Sequence, residues 1–171
     1  MRVTGAWSES AAAAFLEEVR IPIRVACHTP QGRLWMLSLW YAWVDDAEGG
    51  DGAAATDPDA TPELRCATAA GADVVAYLRQ DPAVAFEVST NHPPYRGVRG
   101  YGTVRIEPDT DKALLRSLFD RYLGGTDNRL GDRLLDPERE EVRLRIDPER
   151  LHSWDFSGRM GDVDAGRDGV E

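Results

Sequence analysis

The pattern of apolar and polar positions along the chain predicts a protein built mostly from β-strands. Short runs rich in Val, Ile, Leu and aromatic residues predict strands over residues 21–28, 33–44, 64–68, 83–88, 96–107 and 141–146, with 151–156 extending the last. Apolar residues at helical spacing predict helices over 9–19, 71–78 and 108–122. A Thr-Pro-Gln-Gly turn between the first two strands predicts a β-hairpin.

The order of these elements predicts a mainly β protein in which helices serve as connectors. Hairpin connections dominate, and the strand–helix–strand repeat of a parallel sheet is absent from the pattern. We therefore expect a six- to seven-stranded antiparallel β-barrel rather than a doubly wound sheet. A chain of 171 residues is long enough for one such domain with its own core, and we place it over residues 1–160.

Two segments have a different composition from the rest. Residues 45–62 contain acidic residues among Gly, Ala, Thr and Pro, without a basic residue, and we interpret them as a mobile hairpin loop. These carboxylates lack the fixed spacing of a Ca²⁺-binding loop, so we predict no metal site there. Residues 161–171 are rich in Gly and Asp, which predicts a disordered tail.

Charge and hydropathy narrow the range of partners. The formal net charge of −10 would repel a phosphate backbone, so a nucleic-acid partner is not expected. No apolar run approaches the ~20 residues that span a bilayer, which argues against a membrane protein. The first five residues lack the pattern of a signal peptide, and we expect a cytoplasmic location.

The cysteines and histidines do not form a recognisable metal or catalytic motif. Cys27 and Cys66 lie in apolar stretches outside any Cys-x-x-Cys pair, which predicts two small buried hydrophobic residues. His28, His92 and His152 are far apart and lack metal-ligand spacing. No Ser-His-Asp or Cys-His arrangement is evident from spacing, so catalytic residues are not assigned.

Four stretches of sequence, in this order and spacing, resemble the flavin-binding split-barrel proteins. This family includes pyridoxamine-5′-phosphate oxidase and the deazaflavin (F420)-dependent reductases. The stretches are IPIRVA at 21–26 with LWY at 39–41, LRCAT at 64–68 with LRQDPAV at 78–84, PYRGVRGYG at 94–102, and WDFSGRM at 154–160. The resemblance implies a split β-barrel that forms a homodimer, with the cofactor in a groove between the two barrels.

The resemblance also implies which residues contact the cofactor. An isoalloxazine-type ring would meet the second strand at the backbone of four successive residues, Trp35, Met36, Leu37 and Ser38. The other implied contacts are Thr68 at the cofactor phosphate, Arg33 near the cofactor, and Arg99 on the strand that crosses the site. Arg99 is also a candidate partner for the acidic surface, and Trp154 is a candidate for interface packing or for lining the pocket.

One position departs from the family pattern. FMN-binding members usually carry basic residues at the start of the short helix after the strand that ends at Thr68, and those cations pair with the phosphate. This chain has Asp73 and Val74 there. A carboxylate ~4 Å from a phosphate costs a few kcal/mol at an effective dielectric of ~20, so FMN, F420 and no cofactor all stay open.

These observations give three hypotheses of function. The first is a flavin- or deazaflavin-dependent oxidoreductase of a small organic molecule, in which the cofactor carries the redox chemistry. The second is a flavin-binding protein without turnover. The third is a split barrel that has lost the FMN phosphate site and binds another ligand or catalyses another reaction. His92, in the loop before the fifth strand, is a candidate acid or base.

Overall fold

The computed structural model describes residues 1–45 and 61–160. The predicted disordered tail and residues 46–60 of the predicted mobile loop lie outside the described residues. In chain order the elements are β1 (Arg2–Gly5), α1 (Glu9–Glu18), β2 (Ile23–His28), β3 (Leu34–Leu39), β4 (Tyr41–Val44), β5 (Glu63–Ala69), α2 (Asp73–Gln80), β6 (Ala83–Ser89), β7 (Arg96–Pro108), α3 (Ala113–Leu123), α4 (Arg129–Leu134), β8 (Glu141–Asp155) and a 3₁₀ turn (Ser157–Arg159).

The strands form one curled sheet in the order β3-β2-β6-β7-β8-β5-β4. Every neighbouring pair in this order is antiparallel, whereas β1 pairs with β8 in parallel. The predicted second strand is therefore two strands, because the chain leaves β2 at Trp40 and continues along β5. This confirms a mainly β, antiparallel barrel with connecting helices. Among the described strands β3 pairs only with β2, so the barrel is open between β3 and β5.

Helix α3 holds the bend at Trp40 in place. The Trp40 ring stacks on Tyr122, with centroids 5.3 Å apart, and meets Phe119 edge to face at the same distance. The next residue, Tyr41, is fully buried, and its hydroxyl donates a 2.8 Å hydrogen bond to the carbonyl of Leu16 in α1. Aromatic pairs of this geometry contribute beyond the area they bury, so the bend is anchored on two helices.

The inward faces of the strands form the core together with α1 and α2. Cys27 and Cys66 are both buried there, which confirms them as small core residues. Burial raises the pKa of the Cys66 thiol to about 12, so this thiol stays protonated and unreactive near neutral pH. None of the helices among the described residues is long and apolar enough to cross a membrane.

The sequence patterns missed two short elements. Strand β1 has only four residues and no clear apolar alternation, and it exists because β8 offers it a pairing edge. Gly5 allows that approach: its φ is +106°, and a Cβ there would lie 2.0 Å from the Ser153 carbonyl oxygen. The six-residue helix α4 begins at Asn128, whose side chain accepts a 2.9 Å hydrogen bond from the Gly131 N–H.

A buried carboxylate connects three arginines on neighbouring strands. Arg65, Arg145 and Arg105 lie side by side on β5, β8 and β7. The Glu63 side chain is 3% exposed and accepts hydrogen bonds from all three, at 2.9 Å from Arg145 and 3.3 Å from Arg105. Like charges directly opposite in a sheet repel, so Glu63 makes this arrangement possible.

Replacing Glu63 by Gln should destabilise the protein by about 3 kcal/mol, because it removes the buried charge that Arg65, Arg145 and Arg105 share, although Asp147 and Glu107 still pair with Arg105 and Arg145. Urea unfolding should show a lower midpoint with an unchanged slope. Glu149→Gln is the matched control, because Glu149 is exposed and its loss should change the unfolding free energy by less than about 0.5 kcal/mol. Equal midpoints for the two variants would contradict a role for Glu63 in the sheet.

Candidate functional site

A groove of about 760 Å³ lies on the outer face of the sheet, across β3, β2, β6, β7 and β8. Because side chains alternate between the faces of a strand, two rows of cross-strand neighbours line it. The first row is Met36, Ala26, Ala85, Tyr101 and Arg150. The second row is Arg24, Glu87, Arg99 and His152.

The groove combines exposed apolar surface with cations. Met36 is 66% exposed and Tyr101 is 49% exposed, which is unusual for side chains of this size. Arg24 is neutralised by Glu87 at 3.4 Å. In the described part of the chain, Arg99 and Arg150 have no carboxylate within salt-bridge distance, so the groove has two cations able to meet an anionic group.

Trp154 holds Arg99 at one end of the groove. The Arg99 guanidinium lies 5.5 Å from the centroid of the Trp154 ring, within the range of a cation–π contact. Trp154 lies across Gly97 on the neighbouring strand, where a Cβ would come within 2.8 Å of the ring and 2.6 Å of the Val88 carbonyl oxygen. A glycine is therefore needed for the ring to reach its place beside Arg99.

His152 supplies an imidazole to the groove. Its Nδ1 lies 3.1 Å from the Thr4 hydroxyl oxygen on β1, and the same hydroxyl donates to the Leu151 carbonyl at 3.2 Å. Across the strands its register neighbour is Arg99. Residues 1–45 and 61–160 contain no group of three or more His, Cys, Asp or Glu placed to hold a metal ion.

Strand β3 borders the groove and has one unpaired edge. Its far side meets the opening of the barrel, so backbone N–H and C=O groups along that edge lack strand partners among the described residues. Trp35, on the face away from the groove, contacts Tyr77 of α2 edge to face with centroids 6.5 Å apart. The opening is therefore flanked by an aromatic pair on one side and the groove on the other.

The start of α2 has no basic residue. Ala72 caps the helix without a side-chain hydrogen bond. The exposed Asp73 occupies the first turn, where the helix dipole stabilises a negative charge. Val74 is 4% exposed and belongs to the core, so its side chain does not reach a phosphate at this helix end. Thr68 lies at the adjoining end of β5, on the face that carries the buried Cys66.

The structure divides the predicted site residues between two ends of the sheet. Met36 and Arg99 line the groove, and Trp154 contacts Arg99. Ser38 shares the outer face with Met36, whereas Trp35 and Leu37 face the other way. Arg33 lies exposed in the turn before β3. Strands β3 and β8 are four strand spacings apart, about 19 Å along the sheet.

Sequence reasoning missed several groove residues and proposed one that lies elsewhere. Tyr101 is two residues from Arg99, and His152 is two residues from Trp154, so strand alternation from the predicted contacts would have found both. His92 instead lines a separate cavity of about 370 Å³. That cavity adjoins the groove through Arg24, which donates a 2.7 Å hydrogen bond to Asn91.

Comparison with known proteins shows likeness in structure. No family model and no curated protein matches the sequence. A conserved hypothetical protein from Mycobacterium tuberculosis matches with a TM-score of 0.66 at 24% identity, covering 97% of this chain and 94% of that one. A protein described as an F420 reductase matches with a TM-score of 0.60 at 24% identity, covering 80% of this chain and 93% of that one.

A third solved structure with a similar fold is related to pyridoxamine 5′-phosphate oxidase. A pyridoxamine 5′-phosphate oxidase-related, FMN-binding protein from Nostoc punctiforme matches with a TM-score of 0.53 at 15% identity, covering 86% of this chain and 80% of that one. These likenesses extend over most of each chain, and they confirm the split-barrel fold expected from the sequence.

Gly97→Ala should displace the Trp154 ring and destabilise the protein by about 1–3 kcal/mol, because the added methyl group has no space. The fluorescence of Trp154 is obtained by subtracting the signal of the matching Trp154→Phe protein. Acrylamide should quench this fluorescence more strongly in Gly97→Ala than in the wild type. Gly71→Ala serves as the control, because no atom lies within 4 Å of a Cβ there. Unchanged quenching together with unchanged stability would show that Trp154 does not depend on Gly97.

Proposed function

We propose that the protein binds a flavin or deazaflavin at the open edge of β3 and uses it as an oxidoreductase of a small organic molecule. The observation that carries this proposal is the unpaired β3 edge beside a groove with two unneutralised arginines. The fold adds support, since an F420 reductase and an FMN-binding protein share it. When bound, such a cofactor supplies hydride transfer, and the protein supplies binding and orientation.

The residues around the β3 edge fit the ring of such a cofactor. The pyrimidine edge of an isoalloxazine carries alternating N–H and C=O groups, which an unpaired strand edge complements. Because successive side chains point to opposite faces, Met36 and Trp35 would flank the ring on its two sides. The backbone of Leu37 and Ser38 would continue the contact.

The phosphate end of the cofactor would lie toward α2. Free N–H groups at a helix start favour an anion, and Thr68 at the adjoining end of β5 would add a hydroxyl. Arg33 lies at the other end of β3, toward the C-terminal end of α2, and would contact the cofactor away from the phosphate. Asp73 opposes this: two unit charges 4 Å apart at an effective dielectric of ~20 interact by about 4 kcal/mol. We therefore propose that phosphate binding is weaker here than with basic residues at the helix start.

The cofactor site is proposed to be completed by a second copy of the chain. A ring held at the β3 edge lies three strand spacings from Arg99 on β7 and four from Trp154 on β8 of the same chain, about 14 and 19 Å along the sheet, which is too far for direct contact. In a homodimer with the two grooves facing each other, these residues of one subunit would reach the β3 edge of the other. The exposed apolar side chains Leu34, Met36 and Tyr101 suit such an interface.

In this arrangement the chain's own residues have distinct tasks. Arg99, oriented by Trp154, and Arg150 would bind an acidic group of the cofactor or substrate. The apolar floor of Ala26, Ala85 and Tyr101 would exclude water from the reacting atoms, which strengthens those electrostatic contacts.

A second candidate function is favoured by the start of α2. With Asp73 in the first turn and Val74 in the core, the usual cations are absent from both positions. A split barrel without a cofactor, whose groove binds another anionic ligand, is consistent with this arrangement. A cofactor store without turnover would share the binding residues of the first proposal and differ only in lacking a substrate reaction.

The absorbance spectrum after incubation with FMN, riboflavin or F420 and removal of free ligand tests the cofactor. We expect the visible band of a bound cofactor. Asp73→Arg should tighten FMN binding by about tenfold or more, because it replaces repulsion with attraction at the phosphate. Glu9→Arg, in the first turn of α1, makes the same change of net charge and should leave FMN affinity unchanged. A protein that stays colourless with all three compounds would favour the second candidate.

Light scattering tests the homodimer at micromolar concentration. The native chain should have the mass of a dimer, and Leu34→Asp should have the mass of a monomer with an unchanged circular dichroism spectrum, because Leu34 is 78% exposed in the single chain. Leu123→Asp is the control and should remain dimeric, because Leu123 is also exposed but lies on α3. A monomeric native protein would contradict the composite site.

A further inference from the structure

The pair His152 and Thr4 joins the N-terminal strand to the groove. Strand β1 pairs with β8 in parallel and places Thr4 opposite His152. The imidazole lines the groove, while its Nδ1 is 3.1 Å from the Thr4 hydroxyl. Among the described residues, the other ring nitrogen, Nε2, has no hydrogen-bond partner in the protein.

The hydrogen bonds of Thr4 determine which ring nitrogen of His152 carries the proton. The Leu151 carbonyl can only accept, so the Thr4 hydroxyl donates its single proton there, at 3.2 Å. Both hydrogen bonds form together only when the hydroxyl oxygen accepts the 3.1 Å bond from His152, with Nδ1 as the donor. In the neutral ring Nε2 is consequently the unprotonated nitrogen, free to accept a proton in the groove.

Several contacts hold Thr4 in the position that this requires. Its carbonyl accepts a 3.3 Å hydrogen bond from the Ser153 hydroxyl, and the Trp7 N–H donates to the same hydroxyl at 2.9 Å. The Ala6 N–H donates to the Ser153 carbonyl at 3.1 Å. Gly5 lets β1 come this close to β8. The hydrogen bonds between β1 and Ser153 of β8 therefore hold Thr4 in place.

The charged groups around His152 come from five strands. Arg99 is its neighbour on β7, and Arg150 precedes it on β8. Arg2 on β1 pairs with Arg150. Glu87 on β6 lies beyond Arg99 and is engaged by Arg24 of β2. No carboxylate bonds to the His152 ring in the described part of the chain, so Thr4 is its fixed partner.

We propose that His152 is a proton-transfer residue of the groove and that Thr4 is its positioning residue, which holds the ring in the Nδ1–H form. This inference rests on the proposed oxidoreductase function. As the substrate carbon of a C=C or C=O bond gains a hydride, His152 in its protonated form gives the Nε2 proton to the other atom of that bond. The π bond breaks, two bonds to hydrogen form, and the substrate gains two electrons.

After this step neutral His152 keeps its Nδ1–H bond to Thr4 and regains a proton from water at Nε2. In the opposite direction Nε2 accepts the proton as the hydride leaves the substrate carbon. The source and the acceptor of the hydride are the reduced and oxidised forms of the cofactor class named above. General acid–base catalysis of this kind contributes roughly 10²- to 10⁴-fold to a rate.

Nitrogen NMR of the isotope-labelled protein without cofactor tests the positioning role. At a pH where the imidazoles are neutral, the wild type and Thr4→Ser should show His152 in the Nδ1–H form. Thr4→Val, which lacks only the hydroxyl, should show a substantial Nε2–H population. His28→Gln and His92→Gln variants assign the three signals. An Nε2–H form in the wild type, or no change in Thr4→Val, would overturn the proposal.

Stopped-flow reoxidation of the reduced, cofactor-loaded protein by cyclohexenone tests the proton-transfer role. His152→Gln should lower the rate by about a hundredfold or more, with cofactor affinity unchanged. Thr4→Val should lower the rate by about tenfold and Thr4→Ser should restore it. His28→Gln is the control, because His28 pairs with Asp81 outside the groove. A wild-type rate and pH profile in His152→Gln would overturn the role.

The two measurements separate this inference from the function on which it rests. If the wild-type protein binds none of the cofactors, the oxidoreductase proposal fails, and proton transfer by His152 fails with it, although the NMR result still stands for Thr4. If the protein binds cofactor and reduces cyclohexenone without dependence on His152, the oxidoreductase proposal stands and the present inference fails.

Discussion

The packing of Trp40 against α3 determines how the sheet closes. At this residue the chain stops pairing with β2 and begins pairing with β5, so one continuous stretch belongs to both ends of the sheet. The stacked contact with Tyr122 and the edge contact with Phe119 hold the bend.

The same bend leaves β3 with an unpaired edge. An unpaired edge on a soluble protein is a liability, because it offers backbone groups to any other strand. Here the edge faces the gap toward β5 and α2, and Trp35 covers part of that gap through its contact with Tyr77. The unpaired β3 edge leaves the barrel incomplete, and its free backbone groups suit a flat ligand with polar groups along its edge.

Electrostatics separate the two ends of the sheet. On β5, β8 and β7, the arginines beside Glu63 are neutralised by buried or partly buried carboxylates and stabilise the fold. On the groove face, Arg99 rests on an aromatic ring and Arg150 has no carboxylate partner among the described residues. A chain with a net charge of −10 therefore keeps a local cationic surface where its groove lies.

Part of the candidate site could be predicted from strand periodicity and part could not. Strand alternation, which follows from the sequence, puts Tyr101 on the same face as Arg99 and His152 on the same face as Trp154, whereas the pairing of β7 with β8 is known only from the structure. The role of Thr4 could not be predicted, because β1 carries no apolar alternation and exists through its pairing with β8. The distance between the β3 residues and Arg99 could not be predicted either, because it depends on how many strands lie between them.

The sequence by itself determined the class of fold and the main strands and helices, because each depends on local periodicity and turn residues. Tertiary structure alone decided where the long second strand bends, since Trp40 bends only against α3. It also decided that Val74 belongs to the core rather than to a phosphate site. Pairings between distant segments are set by packing of the whole chain, and no local pattern contains them.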